Sequence, residues 1–273
     1  MRTARDGTEL HLHAHPLDGA RATIAVVHGY GEHGGRYDHV AAAWRERGLQ
    51  SFAIDVRGHG RSRGPRGFVE RFTDYHADLD VLLDVAREAA RGGPLFLFGH
   101  SNGALIALHY LIARGGEGLR GLMLSSPFLA VALPVPKPKV LLGKVASRLV
   151  PGLALPAGLE GRHVTRDPEL ARLYDTDPLN NKNATARWFT EATAAADLVV
   201  ERAGALTLPT ILLYGGADQV VDAARTDVLA SKLTMSDRTV ERLAGHYHEL
   251  VNEPPPDRAR VIARYADWAL ARS

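Results

Sequence analysis

Short runs of apolar residues alternate along the chain with longer stretches in which apolar residues recur at helical spacing. The short runs predict buried strands at 23–27, 50–54, 95–98, 119–125, 210–214 and 238–243. The longer stretches predict helices at 36–47, 74–90, 102–114 and 220–232, with a terminal helix from about 256. Strands that alternate with helices are typical of a mostly parallel sheet flanked by helices, so we expect an α/β fold.

The alternation stops at Pro127 and returns at about 206. Between these positions seven prolines separate short helical pieces, and no strong strand pattern occurs. The sequence therefore predicts three segments: a first part of the core at 1–126, an inserted helical cap at 127–205 and a second part of the core at 206–273.

The predicted cap contains one amphipathic stretch, 137–150, which repeats apolar residues at Leu141 and Val145 and carries basic residues elsewhere on the turn. A basic amphipathic helix can lie at a membrane surface, and it can also cover an apolar tunnel. We favour the tunnel, which makes Leu141 and Val145 candidate contacts for an apolar substrate. Transient contact of the cap with a membrane surface is the alternative.

The amino-acid composition excludes several classes of function. The 273 residues are 45% hydrophobic and 23% charged, which is the ordinary globular range. Basic and acidic side chains nearly balance at 33 and 31, and the basic ones are scattered, so nucleic-acid binding is not expected. The absence of cysteine excludes disulfides, thiolate nucleophiles and cysteine-based metal sites. The N-terminus lacks the apolar run of a signal peptide, and apolar stretches of about seven residues are too short to span a membrane, so a cytoplasmic protein is expected.

The strongest chemical signal is Gly99-His100-Ser101-Asn102-Gly103, a G-x-S-x-G sequence. It directly follows a predicted strand and directly precedes a predicted helix, as a nucleophile elbow requires. The turn leaves no room for side chains beside the nucleophile, and the start of the helix aims backbone N–H groups at the reacting oxygen. Ser101 is therefore the candidate nucleophile. The alternative is a serine that only caps the helix.

A serine nucleophile needs a base, and the base needs an acid that orients it. In this arrangement they follow in the order Ser, acid, His. Asp218 comes four residues after the strand 210–214 and is the candidate acid; Asp222 is a rival whose place at a helix start suits a cap better. After the strand 238–243, His246 and His248 both have the spacing of the base, and spacing alone does not separate them.

The oxyanion hole needs two preorganised backbone N–H groups. Asn102, the residue after the nucleophile, supplies one candidate. Tyr30, in the loop His28-Gly29-Tyr30-Gly31, supplies the other. The glycines of that loop let the backbone approach a substrate closely. His28 itself is interpreted as structural rather than catalytic.

Six stretches, in order over most of the chain, resemble α/β-hydrolases of the monoacylglycerol lipase and lysophospholipase-like group, of the serine aminopeptidase type. They are HGYGEHGGRY at 28–37, DVRGHGRS at 55–62, GHSNG at 99–103, DPL at 177–179, YGGADQVVD at 214–222 and GHYHELVNE at 245–253. The resemblance implies a triad of Ser101, Asp218 and His248, with His248 chosen over His246 by its place in the Tyr-His-Glu match. It also implies a cap and the hydrolysis of monoacylglycerol or lysophospholipid esters through an acyl-enzyme, with no cofactor.

The resemblance further implies that Glu32 and Arg36 touch the polar head of the substrate; a loop-stabilising salt bridge is the alternative. The group commonly has Met where this chain has Asn102, so a side chain expected at the acyl entrance becomes polar here. That change concerns chain-length preference and not the reaction type.

Other classes of function stay open from the sequence. A thioesterase or a peptidase could use the same triad, and a non-catalytic binding protein could share the fold. The oligomeric state is not predicted.

His11, His13 and His15 alternate along a predicted strand near the N-terminus and so share one face. Such a face could bind a metal ion, but a solvated edge strand is the favoured interpretation. We therefore predict no metal site.

Overall fold

The computed structural model describes residues 1–132 and 137–273, and it describes side chains outside 133–140. The strands are β1 (Arg2–Thr3), β2 (Glu9–Leu10), β3 (Leu12–His15), β4 (Ala22–Val27), β5 (Leu49–Ile54), β6 (Leu95–His100), β7 (Gly121–Ser125), β8 (Ala154–Pro156), β9 (Asn183–Thr185), β10 (Thr210–Gly215) and β11 (Arg238–Leu243). The helices are α1 (Asp38–Glu46), α2 (Tyr75–Ala90), α3 (Asn102–Arg114), α4 (Lys137–Leu149), α5 (Gly161–Val164), α6 (Pro168–Thr176), α7 (Ala186–Arg202), α8 (Ala223–Lys232) and α9 (Asp257–Leu270).

A seven-stranded sheet forms the centre, in the order β11-β10-β7-β6-β4-β5-β3. All neighbouring strands are parallel except β3, which pairs antiparallel with β5 at one edge. Side chains alternate along β4, so Ala25 and Val27 join the apolar cluster on one face of the sheet, while Ile24 and Val26 join the cluster on the other. Helices cover both faces, which is why the central strands are apolar throughout. The predicted α/β class, with a mostly parallel sheet, is confirmed.

The predicted elements differ from the observed ones mainly at their ends. β6 extends to His100, so the strand runs up to Ser101. The helix predicted from 36 begins at Asp38, because Gly34–Tyr37 forms a turn of 3₁₀ helix. The helix predicted from 220 begins at Ala223, because the Asp222 side chain accepts from a backbone N–H of the first turn and caps the helix.

The segment 127–205 separates β7 from β10, and none of its described residues joins the seven-stranded sheet. It contains α4 to α7 and a ribbon in which β8 pairs with β9. Strands of three residues are too short to show a period of two, so the sequence did not predict the ribbon. α7 packs on α3, the helix that follows Ser101. Among the described residues, no helix has the length and the apolar character that crossing a membrane requires.

Candidate active site

Ser101 lies in the turn between β6 and α3 with φ 52° and ψ −117°, which residues other than glycine rarely adopt. The flanking glycines allow this turn because the backbone approaches so closely. A Cβ atom on Gly99 would lie 2.6 Å from the Gly103 carbonyl oxygen, and one on Gly103 would lie 2.5 Å from the His28 carbonyl oxygen. The local geometry is that of a nucleophile elbow.

Hydrogen bonds hold the elbow on both sides. Ser101 N–H donates to the Ser125 carbonyl oxygen at 2.9 Å. The Ser101 carbonyl oxygen accepts from Leu105 N–H and from Phe128 N–H, each at 3.1 Å. The side chain therefore stands at the N-terminus of α3, where the aligned peptide dipoles favour negative charge.

Asp218 and His248 follow β10 and β11 and form a buried pair. Asp218 Oδ2 is 2.7 Å from His248 Nδ1, and Asp218 Oδ1 accepts from two backbone N–H groups of its own loop at 2.8 and 2.9 Å. An ionised carboxylate only accepts, so His248 Nδ1–H must donate and Nε2 is left as an acceptor. The His248 ring lies 4.7 Å, between centroids, from the ring of His100, the residue before Ser101. The pair therefore stands next to the elbow.

Burial opposes the charged form of each partner, but the attraction between them outweighs it. The Asp218 carboxylate and its hydrogen bond raise the pKa of His248 above its usual value. The His248 ring in turn lowers the pKa of Asp218. At His100, burial and the nearby His248 charge lower the pKa to about 4, so that ring stays neutral near neutral pH. A proton taken up here therefore goes to His248.

The alternative candidates for the base and the acid, His246 and Asp222, lie away from the Asp218–His248 pair. His246 Nε2 is 3.9 Å from Asp257 Oδ2 at the start of α9. Asp222 caps α8. The structure thus brings His248, and not His246, to Asp218. His28 is fully buried and its Nε2 accepts from the Val56 N–H at 3.1 Å, which is a structural contact.

The backbone N–H groups of Tyr30 and Asn102 have no hydrogen-bond acceptor in residues 1–132 and 137–273. The loop that carries Tyr30 lies against the elbow, because a Cβ atom on Gly29 would lie 3.2 Å from Ser101 Cβ. An oxyanion hole requires two free N–H groups near the nucleophile. These two groups meet that description, and their role stays a prediction.

The Tyr30 side chain connects this loop to the segment 127–205. Its ring stacks on that of Trp188 in α7, with 3.5 Å between centroids. Its hydroxyl donates to the Gly67 carbonyl oxygen at 2.9 Å and lies 3.0 Å from that of Asn183. The position of the candidate oxyanion donor therefore depends on α7.

Glu32 and Arg36 belong to a buried network of charges. Glu32 Oε1 accepts from Gly29 N–H at 2.6 Å and from the Tyr37 hydroxyl at 2.9 Å, while Oε2 accepts from Arg36 at 2.6 Å. Arg36 also donates to both oxygens of Glu249, at 2.6 and 2.7 Å. Burial opposes both charges, but the opposite charges prevail and lower the pKa of Glu32 while raising that of Arg36.

These contacts are those of the loop-stabilising salt bridge that the sequence offered as an alternative. Contact of Glu32 and Arg36 with the head of a substrate stays a prediction. Sequence reasoning missed Glu249 as the third member of the network. The available signal was its place directly after His248, in a stretch that already carried the resemblance.

Asn102 is fully buried, and neither its amide nitrogen nor its amide oxygen has a hydrogen-bond partner in the described part of the chain. The Tyr75 hydroxyl is likewise buried, and the Asn102 side chain is its polar neighbour. A side chain that lines an acyl entrance would be partly exposed. Complete burial of Asn102 favours packing in the interior, and its expected place at the acyl entrance stays a prediction.

The apolar face of α4 is open to solvent. Leu141 is 65% exposed and Val145 is 45% exposed, and Leu149 is also exposed. Side chains that line a closed tunnel would be buried. The exposure of Leu141 and Val145 therefore does not support the tunnel that the sequence predicts.

The sequence of this chain matches the model of the serine aminopeptidase S33 family over residues 18–255. The chain belongs to this family. It is 32% identical to a monoacylglycerol lipase of Mycolicibacterium smegmatis over 252 residues, which cover 92% of this chain and 89% of that protein. It is 28% identical to the phospholipase YtpA of Bacillus subtilis, over 89% of this chain and 93% of that protein.

This serine hydrolase also shares its fold with solved structures. The crystal structure of the monoacylglycerol lipase of Paleococcus ferrophilus matches it with a TM-score of 0.87 and 28% identity, over 97% of this chain and 100% of that one. The expected α/β-hydrolase fold and the resemblance to the monoacylglycerol lipase-like group are therefore confirmed.

Proposed function

We propose that this protein hydrolyses the ester bond of monoacylglycerols, with Ser101 as the nucleophile, His248 as the base and Asp218 as the acid that orients it. The observation that carries the proposal is the buried Asp218–His248 pair, which leaves His248 Nε2 as an acceptor next to the strained elbow of Ser101. The substrate class is transferred from the relatives, two of which are monoacylglycerol lipases.

In this mechanism, His248 Nε2 takes the hydroxyl proton of Ser101 while Oγ attacks the ester carbonyl carbon. Asp218 stays ionised and stabilises the imidazolium. The N–H groups of Tyr30 and Asn102 donate to the oxyanion. His248 then protonates the leaving glycerol oxygen. A water molecule, deprotonated by His248, hydrolyses the acyl-enzyme and releases the fatty acid and Ser101.

The segment 127–205 is proposed to act as the cap over this site, because α7 packs on α3 and stacks on Tyr30 through Trp188. The exposed apolar face of α4 carries the exposed cations Lys144 and Arg148 beside it. Apolar side chains flanked by cations suit an anionic lipid surface. This supports transient contact of the cap with a membrane. A monoacylglycerol substrate would be dissolved in that membrane. A cytoplasmic location stays a prediction from the sequence.

A lysophospholipid is the second candidate substrate, because one relative is a phospholipase. The two substrates share the ester and differ in the head group, so the same triad serves both. Head-group preference then depends on groups beyond the triad.

Labelling with a fluorophosphonate probe tests the catalytic proposal. We expect the wild-type protein to be labelled, and Ser101→Ala and His248→Ala to lose labelling. His246→Ala is the matched control and should keep it. Absence of labelling in the folded wild type would indicate a non-catalytic binding protein.

A substrate panel then tests the ester class. Release of fatty acid is measured from a monoacylglycerol, a lysophosphatidylcholine and an acyl thioester, together with cleavage of an aminoacyl anilide. We expect the monoacylglycerol to have the highest kcat/KM. Turnover confined to the thioester or the anilide would replace the proposal with thioesterase or peptidase activity.

A further inference from the structure

A second group of potential ligands lies at the edge of the sheet. His11, His13 and Asp55 each offer one nitrogen or oxygen atom, and these three atoms all lie within 4.8 Å of one another. β3, which carries His13, is separated from β6 by β5 and β4, so the group is distinct from the elbow of Ser101. The proposed ester hydrolysis uses none of the three side chains.

The backbone of the sheet edge fixes their positions. Asp55 follows β5, and its N–H donates to the His11 carbonyl oxygen at 2.9 Å. His11 N–H donates to Ser62 Oγ at 2.8 Å, and the Ser62 hydroxyl donates to the Asp55 carbonyl oxygen. Residues two apart along a strand face the same way, and the rings of His11 and His13 meet edge to face at 4.7 Å between centroids. The backbone therefore brings the three side chains to within 4.8 Å, and rotation of the side chains would close the remaining distance to one ion.

The separation of the atoms is close to that of two ligands of a metal ion. Asp55 Oδ1 is 2.9 Å from His13 Nε2, and the carboxylate is buried. Asp55 Oδ1 also accepts from Gly34 N–H at 2.7 Å and Oδ2 from Arg61 N–H at 2.8 Å, so a metal ion would replace the hydrogen bond to His13. Neighbouring ligand atoms of a tetrahedral Zn²⁺ ion, with bonds of about 2.0 to 2.2 Å, lie about 3.3 to 3.6 Å apart. The observed 2.9 Å is that of a hydrogen bond, and an increase of about 0.5 Å would bring Asp55 and His13 to the spacing of two ligands of one ion.

His11 is the unexplained member of the group. Its ring makes no hydrogen bond to any described residue, although it is half-buried beside His13. A neutral imidazole nitrogen that makes no hydrogen bond can coordinate a metal ion.

A further imidazole nitrogen lies close by. His33 Nδ1 is buried and has no hydrogen-bond partner in the described part of the chain, while its Nε2 is 2.9 Å from Asp177 Oδ2. The rings of His33 and His13 are 6.4 Å apart between centroids. Free imidazole nitrogens thus concentrate at this edge of the sheet.

We propose that His11, His13 and Asp55 bind one divalent first-row transition metal ion of the Zn²⁺ type. Imidazole nitrogen suits zinc, cobalt and nickel, whereas Ca²⁺ and Mg²⁺ prefer sites made of oxygen ligands alone. Three protein ligands leave room for water in the remaining coordination positions. The competing interpretation is an ordinary ion pair of His13 and Asp55 on a solvated edge strand.

The experiment uses the full chain without a polyhistidine tag, stripped of metal by a chelator and dialysed. Zn²⁺ binding is measured by calorimetry, and Co²⁺ binding by its d–d absorption. We expect one equivalent of each ion to bind, and Zn²⁺ to raise the melting temperature because it binds the folded state. Even loss of a residue that only hydrogen-bonds to a ligand typically weakens metal binding by about 10- to 100-fold, so removal of the direct ligand in His11→Gln should weaken it by at least about tenfold.

Three control measurements test whether metal binding depends on His11 and not on a neighbouring histidine, on misfolding or on the catalytic site. His15→Gln changes the next histidine on the same face, which pairs with Asp38 instead, and should leave binding unchanged. His11→Gln removes no hydrogen bond of the ring, so it should melt like the wild type when metal is absent. Ser101→Ala should bind metal as the wild type does, which separates this proposal from the proposed hydrolysis.

The absence of stoichiometric binding would overturn the proposal and leave the ion-pair interpretation. Equal weakening by His15→Gln would also overturn it. Loss of binding in His109→Gln, but not in His11→Gln, would move the site to the other histidine pair, in which His76 Nε2 is 2.9 Å from His109 Nδ1.

Discussion

Arg36 donates two hydrogen bonds to Glu249, at 2.6 and 2.7 Å, and thereby joins the two loops that carry the candidate catalytic groups. Glu249 directly follows His248. Arg36 also bonds Glu32, which accepts from Gly29 N–H next to the candidate oxyanion donor. One planar guanidinium thus positions the loop of the candidate oxyanion donor relative to the candidate base His248.

Arg36→Lys should therefore lower kcat with little change in KM. Lysine keeps the charge but cannot form the bidentate contact, so the two loops lose their fixed spacing. A displacement of about 1 Å can cost about 100-fold in rate, and we expect a loss of about 10- to 100-fold. The measurement is steady-state kinetics on a soluble ester.

Arg47→Lys is the matched control, because Arg47 forms a more exposed pair with Asp267. It should change neither constant. If Arg36→Lys raises KM at unchanged kcat, Arg36 contacts the head of the substrate, as the resemblance implies, and does not act through the loops.

The pH dependence of kcat/KM should have an acid limb centred above pH 6.5, the unperturbed value for histidine. The base must be neutral to take the Ser101 proton. Asp218 raises the pKa of His248. The base is therefore protonated, and activity is lost, as the pH falls through that raised pKa. Asp218→Asn should move the limb to lower pH and reduce kcat by about 10⁴-fold. A wild-type limb centred below 6.5 would contradict the assigned pair.

Asn102→Met should raise thermal stability and leave chain-length preference unchanged. The substitution removes a buried amide that has no hydrogen-bond partner among the described residues, and leaving such a group unpaired costs about 1–3 kcal/mol. The backbone N–H remains, so catalysis should persist. The checks are a thermal melt and the ratio of kcat/KM on palmitate and butyrate esters. Thr226→Val, which removes a buried hydroxyl without a partner among the described residues, is the control in α8. If Asn102→Met raised the ratio of kcat/KM on palmitate to that on butyrate, the result would contradict this prediction and indicate that the residue 102 side chain contacts the acyl chain.

Leu141→Asp combined with Val145→Asp should weaken vesicle binding and the hydrolysis of monoacylglycerol in vesicles. Full burial of one such side chain contributes about 1.5–3 kcal/mol, so we expect at least a tenfold loss of binding. Hydrolysis of a monomeric short-chain ester should not change. Val228→Asp, on an exposed residue of α8, is the matched control. An equal loss of activity on monomeric long-chain esters would instead support the interpretation that α4 covers an acyl tunnel.

The strands, the main helices and the elbow were predictable because each rests on a local pattern. A buried parallel strand must be apolar on both faces, and a covered helix must repeat apolar residues every three or four positions. The elbow needs its glycines because the backbone packs so tightly around Ser101. The order of nucleophile, acid and base follows from the arrangement of the elbow, whereas the choice of His248 follows from the resemblance, because spacing alone left His246 open.

By itself, the sequence determined the α/β class, the position of the elbow and the segment that interrupts the sheet. Only the tertiary structure decided which side chains meet. Arg36 and Glu249 are 213 positions apart, and His13 and Asp55 are 42 apart. The burial of Asn102 and the exposure of Leu141 were likewise decided there. Local periodicity reports which face of an element is apolar, whereas partners and burial depend on how distant elements pack together.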